Sequence, residues 1–202
     1  GQTLLVVFCW ATLIFTSGIN IYILLAIFIV GASLLAYLII YVPRFDYIQG
    51  RIFSFFNRET GTHNFQSDKA IESIASGGFF GKGIGEGTLK NRVPEAHTDY
   101  IISVISEEFG VVAIILILLL FLILIYMVFK KIYYEKSEKI KLILIGCVSL
   151  ILMQATIHIG VNIRLFPTTG MTLPFLSYGG SSIVSISILS GIILNLTKRK
   201  LS

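Results

Sequence analysis

The chain is poor in charged side chains, and this scarcity limits its class before any motif is considered. Only 13% of its 202 residues are Asp, Glu, Lys or Arg, while 55% are hydrophobic and the mean hydropathy is +0.86. An average soluble domain carries about 25% charged residues, so a soluble enzyme or binding module of ordinary composition is excluded. The composition predicts an all-α polytopic membrane protein.

Cysteine is scarce as well. The chain has two, Cys9 and Cys147, and each lies within an apolar run. We interpret both as small hydrophobic residues rather than as a disulfide or as metal ligands. No signal peptide is visible, and the chain begins with Gly1 directly ahead of an apolar run. We therefore expect it to be part of a longer protein.

Long apolar runs are abundant. Five of them approach the ~20 residues that a helix needs to cross a bilayer. They predict transmembrane helices over residues 2–15, 21–42, 111–129, 142–163 and 181–197, all within one membrane domain, 1–202.

Clusters of basic residues predict the orientation of these helices. Lysines between positions 130 and 141 follow the third run, and basic residues at 198–200 follow the fifth. Because short basic loops stay in the cytoplasm, both segments are predicted to be cytoplasmic and the long loop 43–98 extracytoplasmic. Apolar residues at helical spacing predict a short amphipathic helix over 66–76 within that loop.

A glycine-rich run at 77–87 follows this amphipathic segment. It lacks the Gly-Lys-Ser/Thr ending of a P-loop and follows a helix rather than a strand, so nucleotide binding is rejected. Two interpretations stay open. The run either lets backbone N–H groups approach a phosphate, with Lys82 and Lys90 nearby, or forms a flexible turn beside the membrane.

An acidic residue stands where the long loop meets the third apolar helix. Asp99 ends the motif Pro-Glu-Ala-His-Thr-Asp at 94–99. It is either a helix cap or first-turn residue, where negative charge favours the helix dipole, or a catalytic carboxylate at the bilayer surface. Position alone favours the first of these. We interpret Glu107 and Glu108, further along the same helix, as paired interface charges.

Polar residues at a spacing of four mark the fourth helix. Gln154, His158 and Asn162 fall on one helix face, which predicts hydrogen bonds inside the bundle rather than a proton relay. Two prolines and three glycines in the following segment, 167–182, predict irregular backbone that is covered by protein or lines a cavity. The small residues that open the last helix leave N–H groups suited to an anion.

These motifs together resemble the SEDS family, whose members include FtsW, RodA and SpoVE. The matching stretches, in family order, are 83–90, 94–99, 107–110, 170–172 and 173–182. The resemblance covers the whole chain, is closest to the cell-division branch, and corresponds to the C-terminal half, helices six to ten, of the family fold. It implies a multi-pass protein of the bacterial cytoplasmic (inner) membrane at the division septum, with its active site on the extracytoplasmic side.

The resemblance also implies an activity. Members polymerise lipid II into glycan strands as peptidoglycan glycosyltransferases, and Asp99 matches the family's essential aspartate, with general base as the implied role. The implied partners are lipid II, the lipid-linked glycan chain, a class B penicillin-binding protein, other division proteins and membrane lipid, without nucleic acid. No cofactor is implied, and a divalent cation beside Asp99 is left open. The residues expected to bind substrate are Lys82, Lys90, Arg92, Glu95, His97, Arg164, Ser177, Gly179, Gly180 and Ser181.

Two functions from other classes stay open. A flippase that moves lipid II across the bilayer would use the stripe Gln154–His158–Asn162 as its path and would depend on it more than on Asp99. A non-catalytic scaffold that recruits the penicillin-binding protein through apolar helices would not need Asp99 at all.

Overall fold

Helices form all the regular secondary structure in the part of the chain that the computed structural model describes, residues 1–46, 48–50, 55, 62–93 and 96–198. The predicted all-α class is therefore confirmed. In chain order the helices are α1 (Gln2–Thr16), α2 (Ile21–Tyr41), α3 (Thr62–Gly77), α4 (Leu89–Arg92), α5 (Ile101–Tyr134), α6 (Glu138–Asn162) and α7 (Gly180–Thr197), with a 3-10 turn at Pro43–Phe45.

Four helices, α2, α5, α6 and α7, are long and apolar enough to cross a membrane, as expected of a multi-pass membrane protein. The remaining predicted span, residues 2–15, is the apolar helix α1 of 15 residues. At ~1.5 Å per residue α1 reaches about 22 Å, which is less than the ~30 Å hydrocarbon core. A fifth complete crossing is therefore not confirmed.

α6 lies at the centre of the bundle. Half of the residues in an apolar 18-residue stretch of α6 are buried. The buried share of the corresponding stretch is 11% in α5 and in α7, and none of the stretch in α2 is buried. It contacts α1, α3, α5 and α7. The approach to α1 is close because Gly146 has no side chain: a Cβ there would lie 3.4 Å from Leu13.

The predicted loop 43–98 contains α3 and α4, which pack on the bundle. The amphipathic helix predicted over 66–76 is confirmed as α3, which begins earlier, at Thr62. Its Ala70 is fully buried in a cluster that includes Leu89 of α4 and Tyr100 at the start of α5. This apolar cluster holds the loop helices against the ends of α5 and α6.

α5 consists of two helical halves, 101–109 and 111–134, that meet at Gly110. This glycine has φ 79° and ψ −176°, a conformation that an L side chain rarely adopts and that interrupts the helix. The third span was predicted to begin at Val111, which is the first residue after the break. The half before the break carries the turn that contains Asp99.

Candidate functional site

Asp99 lies in the turn that precedes α5. The N-cap of α5 is Tyr100, and its first turn contains no acidic residue. The interpretation of Asp99 as a cap or first-turn residue is therefore wrong. Ala96 and Tyr100 near it are buried, whereas Asp99 itself is half-buried. A carboxylate in this position is anchored by its neighbours and still reaches the surface.

Three successive backbone carbonyls hold this turn, those of residues 97–99. The first accepts the Tyr178 N–H (3.2 Å), the second accepts the Ser177 hydroxyl (2.8 Å), and the third accepts the Asn162 amide (3.0 Å). The donors come from the end of α6 and from the segment before α7. We call this set of contacts the carbonyl clamp. It fixes the backbone on which the Asp99 carboxylate stands.

Asn162 forms more hydrogen bonds than the other side chain in the clamp, Ser177. Its Nδ2 donates to the carbonyls of Asp99 (3.0 Å) and His158 (2.8 Å), and its Oδ1 accepts from the Ser103 hydroxyl (2.7 Å) and N–H (3.3 Å). Both donors and both acceptor sites are thus used, and the side chain is fully buried. The amide has one orientation that satisfies all four bonds.

The other two residues of the polar stripe on α6 hold the segment before α7. His158 Nδ1 lies 2.7 Å from the Met171 carbonyl, and the Gln154 amide donates to the Thr172 carbonyl at 2.9 Å. The predicted inward orientation of the stripe is therefore confirmed. Since a carbonyl only accepts, His158 Nδ1 carries the proton in this contact.

The segment between α6 and α7 is irregular and covered by protein, as predicted. Leu173, Pro174 and Ser177 within it are almost completely buried. The Ser177 hydroxyl accepts the Leu173 N–H (2.7 Å) while donating to the clamp, so this predicted substrate-binding residue serves a structural contact here. Phe175 has φ 68°, a left-handed conformation that a bulky residue adopts only where its surroundings impose it.

Gly170 joins the Asp99 turn to a cavity. A Cβ built on this glycine would lie 3.7 Å from Asp99 Oδ2, so bare backbone faces the carboxylate. Gly170 also lines a cavity of about 530 Å³ between α1, α6 and the start of α7. Gly179 and Ser181, both predicted substrate-binding residues, line the same cavity, and Gly180 is exposed beside them as the first residue of α7.

Both arginines among the predicted phosphate-binding cations have acidic partners. Arg164 pairs with Asp68 of α3, and Arg92 lies 3.9 Å from Glu72. Lys69 hydrogen-bonds Glu72 and holds the pKa of that carboxyl below its usual range, so Glu72 stays ionised as a partner. Arg92 is the more accessible of the two, because half of its side chain is exposed against 18% for Arg164.

Lys82, the third predicted cation with a described side chain, belongs to a clasp around Glu107. The carboxylate accepts from Lys82 Nζ (2.9 Å), the Thr88 N–H (3.0 Å) and hydroxyl (3.1 Å), and the Leu89 N–H (3.0 Å). Glu107 is 1% exposed. Its interpretation as a paired charge is confirmed, and the pair ties the start of α4 to the first half of α5.

The glycine-rich run closes the break in α5 instead of forming a phosphate loop. The N–H groups of Lys82 and Gly83 donate to the carbonyls of Glu107 (2.9 Å) and Glu108 (3.0 Å). A Cβ on Gly81 would lie 2.2 Å from the Glu108 carbonyl oxygen, so only glycine permits this approach. The N–H groups of Lys82 and Gly83 therefore bond carbonyls that the break in α5 exposes and are not free to bind a phosphate.

The remaining predicted site residues are placed as follows. His97 is exposed beside Asp99, and its carbonyl is the first of the clamp. Glu95 and the side chain of Lys90 lie outside the described residues. Within the described residues, no three His, Cys, Asp or Glu side chains come close enough together to hold a metal ion. A divalent cation at Asp99 therefore stays a hypothesis.

Sequence reasoning missed the contribution of Asn162, Ser103 and Gly170 to this site. A polar residue in an apolar span signals an interior contact, and that signal had marked Asn162 as structural without pointing to Asp99. Ser103 and Gly170 carry no comparable signal, because each acquires its role only from a neighbour distant in the chain.

Known proteins resemble this chain in sequence. The family model for cell cycle proteins of the FtsW/RodA/SpoVE group matches residues 1–201. The probable peptidoglycan glycosyltransferase FtsW of Caulobacter vibrioides (strain NA1000 / CB15N) is 34% identical over 202 residues, which cover 99% of this chain and 50% of that protein. Stage V sporulation protein E of Bacillus subtilis (strain 168) is 34% identical over 189 residues, covering 92% and 51% of the two chains.

The fold is shared with a solved structure as well. The structure comes from work on the structural coordination of polymerization and crosslinking by a peptidoglycan synthase complex. It matches with a TM-score of 0.74 and 26% identity, covering 96% of this chain and 53% of that chain. The chain spans about half the length of the curated relatives it matches. Since the family model extends over almost every residue, the chain belongs to the FtsW/RodA/SpoVE family of cell cycle proteins.

Proposed function

We propose that the chain is part of a peptidoglycan glycosyltransferase that polymerises lipid II into glycan strands during cell division, with Asp99 as the general base. The observation that carries the proposal is the carbonyl clamp, which holds a half-buried carboxylate in one place beside the bare backbone of Gly170. A structural role alone would not require a half-buried acid on so constrained a turn. Proteins similar to this chain are named probable peptidoglycan glycosyltransferases.

The proposed reaction is a single displacement. A hydroxyl oxygen of the acceptor sugar attacks the anomeric carbon of the lipid-linked donor, and a glycosidic bond forms as the bond to the pyrophosphate oxygen breaks. The lipid pyrophosphate leaves with the electron pair, and Asp99 takes the proton of the attacking hydroxyl. One displacement inverts the configuration of the anomeric carbon. A fixed backbone favours this chemistry because a general base works only within hydrogen-bond reach of its proton.

The leaving pyrophosphate needs positive charge or N–H donors as its own charge grows. The N-cap of α7, Gly179, supplies no side-chain bond to the first turn, so the backbone N–H groups there point toward the cavity end of the helix without a capping group. Arg92 offers an exposed guanidinium, while Lys82 and Arg164 reach a ligand only by loosening their pairs with Glu107 and Asp68. We therefore propose that the N–H groups at the start of α7 and Arg92 stabilise the leaving pyrophosphate, ahead of Lys82 and Arg164.

The partners follow from the same proposal. Lipid II, the lipid-linked glycan chain and a class B penicillin-binding protein fit a polymerase that works with a crosslinking enzyme, and the related solved structure belongs to a complex described in those terms. As part of this proposal, the enzyme lies in the cytoplasmic membrane at the septum. Asp99 is assigned to the extracytoplasmic side because the lysine clusters lie at the opposite helix ends.

The flippase alternative requires the polar stripe of α6 to line a path. His158 and Asn162 are instead 1% and 0% exposed and are bonded to backbone carbonyls, whereas Gln154 lines the cavity near Gly170. This arrangement favours polymerisation over transport.

The test is lipid II polymerisation by the full-length protein with its penicillin-binding partner. Asp99→Asn retains the shape of the side chain and removes the base, so we expect no glycan product from a stably inserted protein. Asp46→Asn is the matched control, since Asp46 is exposed at the end of the 3-10 turn, and it should polymerise normally. Substantial synthesis by Asp99→Asn would remove Asp99 from the chemistry.

A further inference from the structure

An open groove runs between α5 and α7 on the side away from the Asp99 turn. Its volume is about 840 Å³. Val128 and Ile193 form a buried floor, while Leu120, Met127 and Leu194 on its rims are more than half exposed. The groove exists because α5 and α7 both pack on α6 and make few contacts with each other.

The two ends of the groove differ in chemistry. Lys130, Lys131 and Tyr134 line one end. Lys131 pairs with Glu135 at 3.3 Å, whereas Lys130 is exposed and forms no ion pair within the described residues. At the other end Phe175 closes the groove, with its ring centroid 6.4 Å from that of Phe121.

The length of the groove matches one leaflet of a bilayer. Leu120 and Lys130 are ten residues apart on a continuous helix, which is about 15 Å along its axis. Half of a ~30 Å hydrocarbon core is the same distance. The apolar part of the groove therefore spans one leaflet and its ammonium groups stand at headgroup depth, where Tyr134 also suits the interface.

We propose that this groove binds an anionic phospholipid, with an acyl chain along α5 and α7 and the headgroup phosphate at Lys130 and Lys131. Charge complementarity supports this occupant: six lysines and two glutamates occupy positions 130–141 and 198 around that end. A transmembrane helix, of another protein or of the rest of the full-length protein, fits less well, because it would continue across both leaflets and meet Phe175 halfway.

The first test compares two double variants of the full-length protein in detergent. Native mass spectrometry would measure the binding of phosphatidylglycerol and of phosphatidylethanolamine with the same acyl chains. Lys130→Gln with Lys131→Gln should weaken phosphatidylglycerol binding roughly tenfold and abolish its preference over phosphatidylethanolamine. Lys136→Gln with Lys139→Gln removes the same charge from the same helix ends but outside the groove, so it should weaken phosphatidylglycerol binding much less than the groove variant does. Equal losses in the two variants would overturn the proposal.

The second test fills the groove without changing its charge. Ser190 lines the groove, and Ser190→Phe should reduce retention of both phospholipids at least fivefold if acyl chains lie there. Ile188→Phe, on an exposed part of α7 outside the groove, is the control and should have no effect. Unchanged retention in Ser190→Phe would contradict an acyl chain in the groove.

A photo-crosslinking residue in place of Leu120 identifies the occupant in intact cells. A lipid adduct on the protein is expected. A crosslink to another polypeptide or to another part of the full-length protein, with no lipid adduct, would show that a helix fills the groove and would overturn the phospholipid assignment.

Discussion

The apolar helices α2 and α6 differ in a way that hydropathy alone does not predict. α2 is the more apolar, with a mean hydropathy of 2.9 against 2.2 over an 18-residue stretch. Within these 202 residues, none of that stretch of α2 is buried, whereas half of the α6 stretch is. In a membrane, lipid solvates apolar side chains as well as a protein interior does, so apolar surface does not drive a helix to the centre. Polar side chains that need hydrogen-bond partners favour a central position for their helix, and α6 carries three of them, Gln154, His158 and Asn162.

The comparison extends to the site. The polar residues of α6 bond the Asp99 turn and the segment before α7, so the same helix that centres the bundle also positions the carboxylate. α7 is less apolar still, with a hydropathy of 1.6, but only 11% of its corresponding stretch is buried. Its Ser181 and Ser185 line the cavity near Gly170, so these polar side chains face a cavity and do not require α7 to be buried.

The largest expected effect is at the break in α5. Gly110→Ala places a Cβ 2.2 Å from the Phe79 carbonyl oxygen at a positive φ, so we expect a loss of more than about 3 kcal/mol in the free energy of unfolding. Gly191→Ala, with open space around it inside α7, should be neutral or stabilising by up to about 1 kcal/mol. Thermal unfolding of the full-length protein in detergent compares the two, and similar melting temperatures would contradict the packed loop.

Removing the Glu107 carboxylate should lower the free energy of unfolding by almost as much. Glu107→Leu leaves the partly buried donors of Thr88 and the buried N–H of Leu89 without an acceptor, and we expect destabilisation of about 3 kcal/mol. Glu107→Gln retains one acceptor oxygen and should lose less. The control is Glu86→Gln at an exposed position, measured by the same melt. A neutral Glu107→Leu would show that the clasp does not stabilise the loop.

A pair of truncations tests the α2–α6 comparison directly. Ile151→Ala in α6 removes a fully buried side chain and should destabilise by about 2 kcal/mol. Leu35→Ala in α2 trims a side chain that is 58% exposed, so its effect should be within about 0.5 kcal/mol. Equal effects in unfolding experiments would mean that α2 is packed as tightly as α6.

A mild effect on stability is expected at His158. His158→Asn retains a hydrogen-bonding group toward the Met171 carbonyl and should change stability by less than about 1 kcal/mol. His158→Leu should lower stability more than it lowers activity per folded molecule. If His158→Asn abolished turnover at unchanged melting temperature, the stripe would be a functional relay and the flippase would gain support.

Local patterns predicted much of this molecule. The amphipathic spacing of 66–76 indicated α3, the apolar run from Val111 indicated the second half of α5, and the polar stripe indicated the interior face of α6. Each of these signals lies within a single helix and depends on its periodicity.

Long-range partners could not be predicted in the same way. Lys82 was expected to meet a phosphate, but its partner Glu107 lies 25 positions away, and Arg164 meets Asp68 across 96 positions. The glycines at 77–87 acquired their meaning only from the break at Gly110, which the apolar run conceals. Residue types at these positions fit an anion site and an internal pair equally well, and only the fold decides between them.

The most direct test of the clamped carboxylate is the polymerisation rate of Asp99→Glu in the full-length protein with its partner. Glutamate keeps the acid but places it one methylene further from the backbone of residues 97–99, which the carbonyl clamp holds in place. If the clamp positions the base, kcat should fall by at least about a hundredfold with little change in KM or melting temperature. An Asp99→Glu enzyme that polymerises lipid II at close to the wild-type rate would contradict the claim.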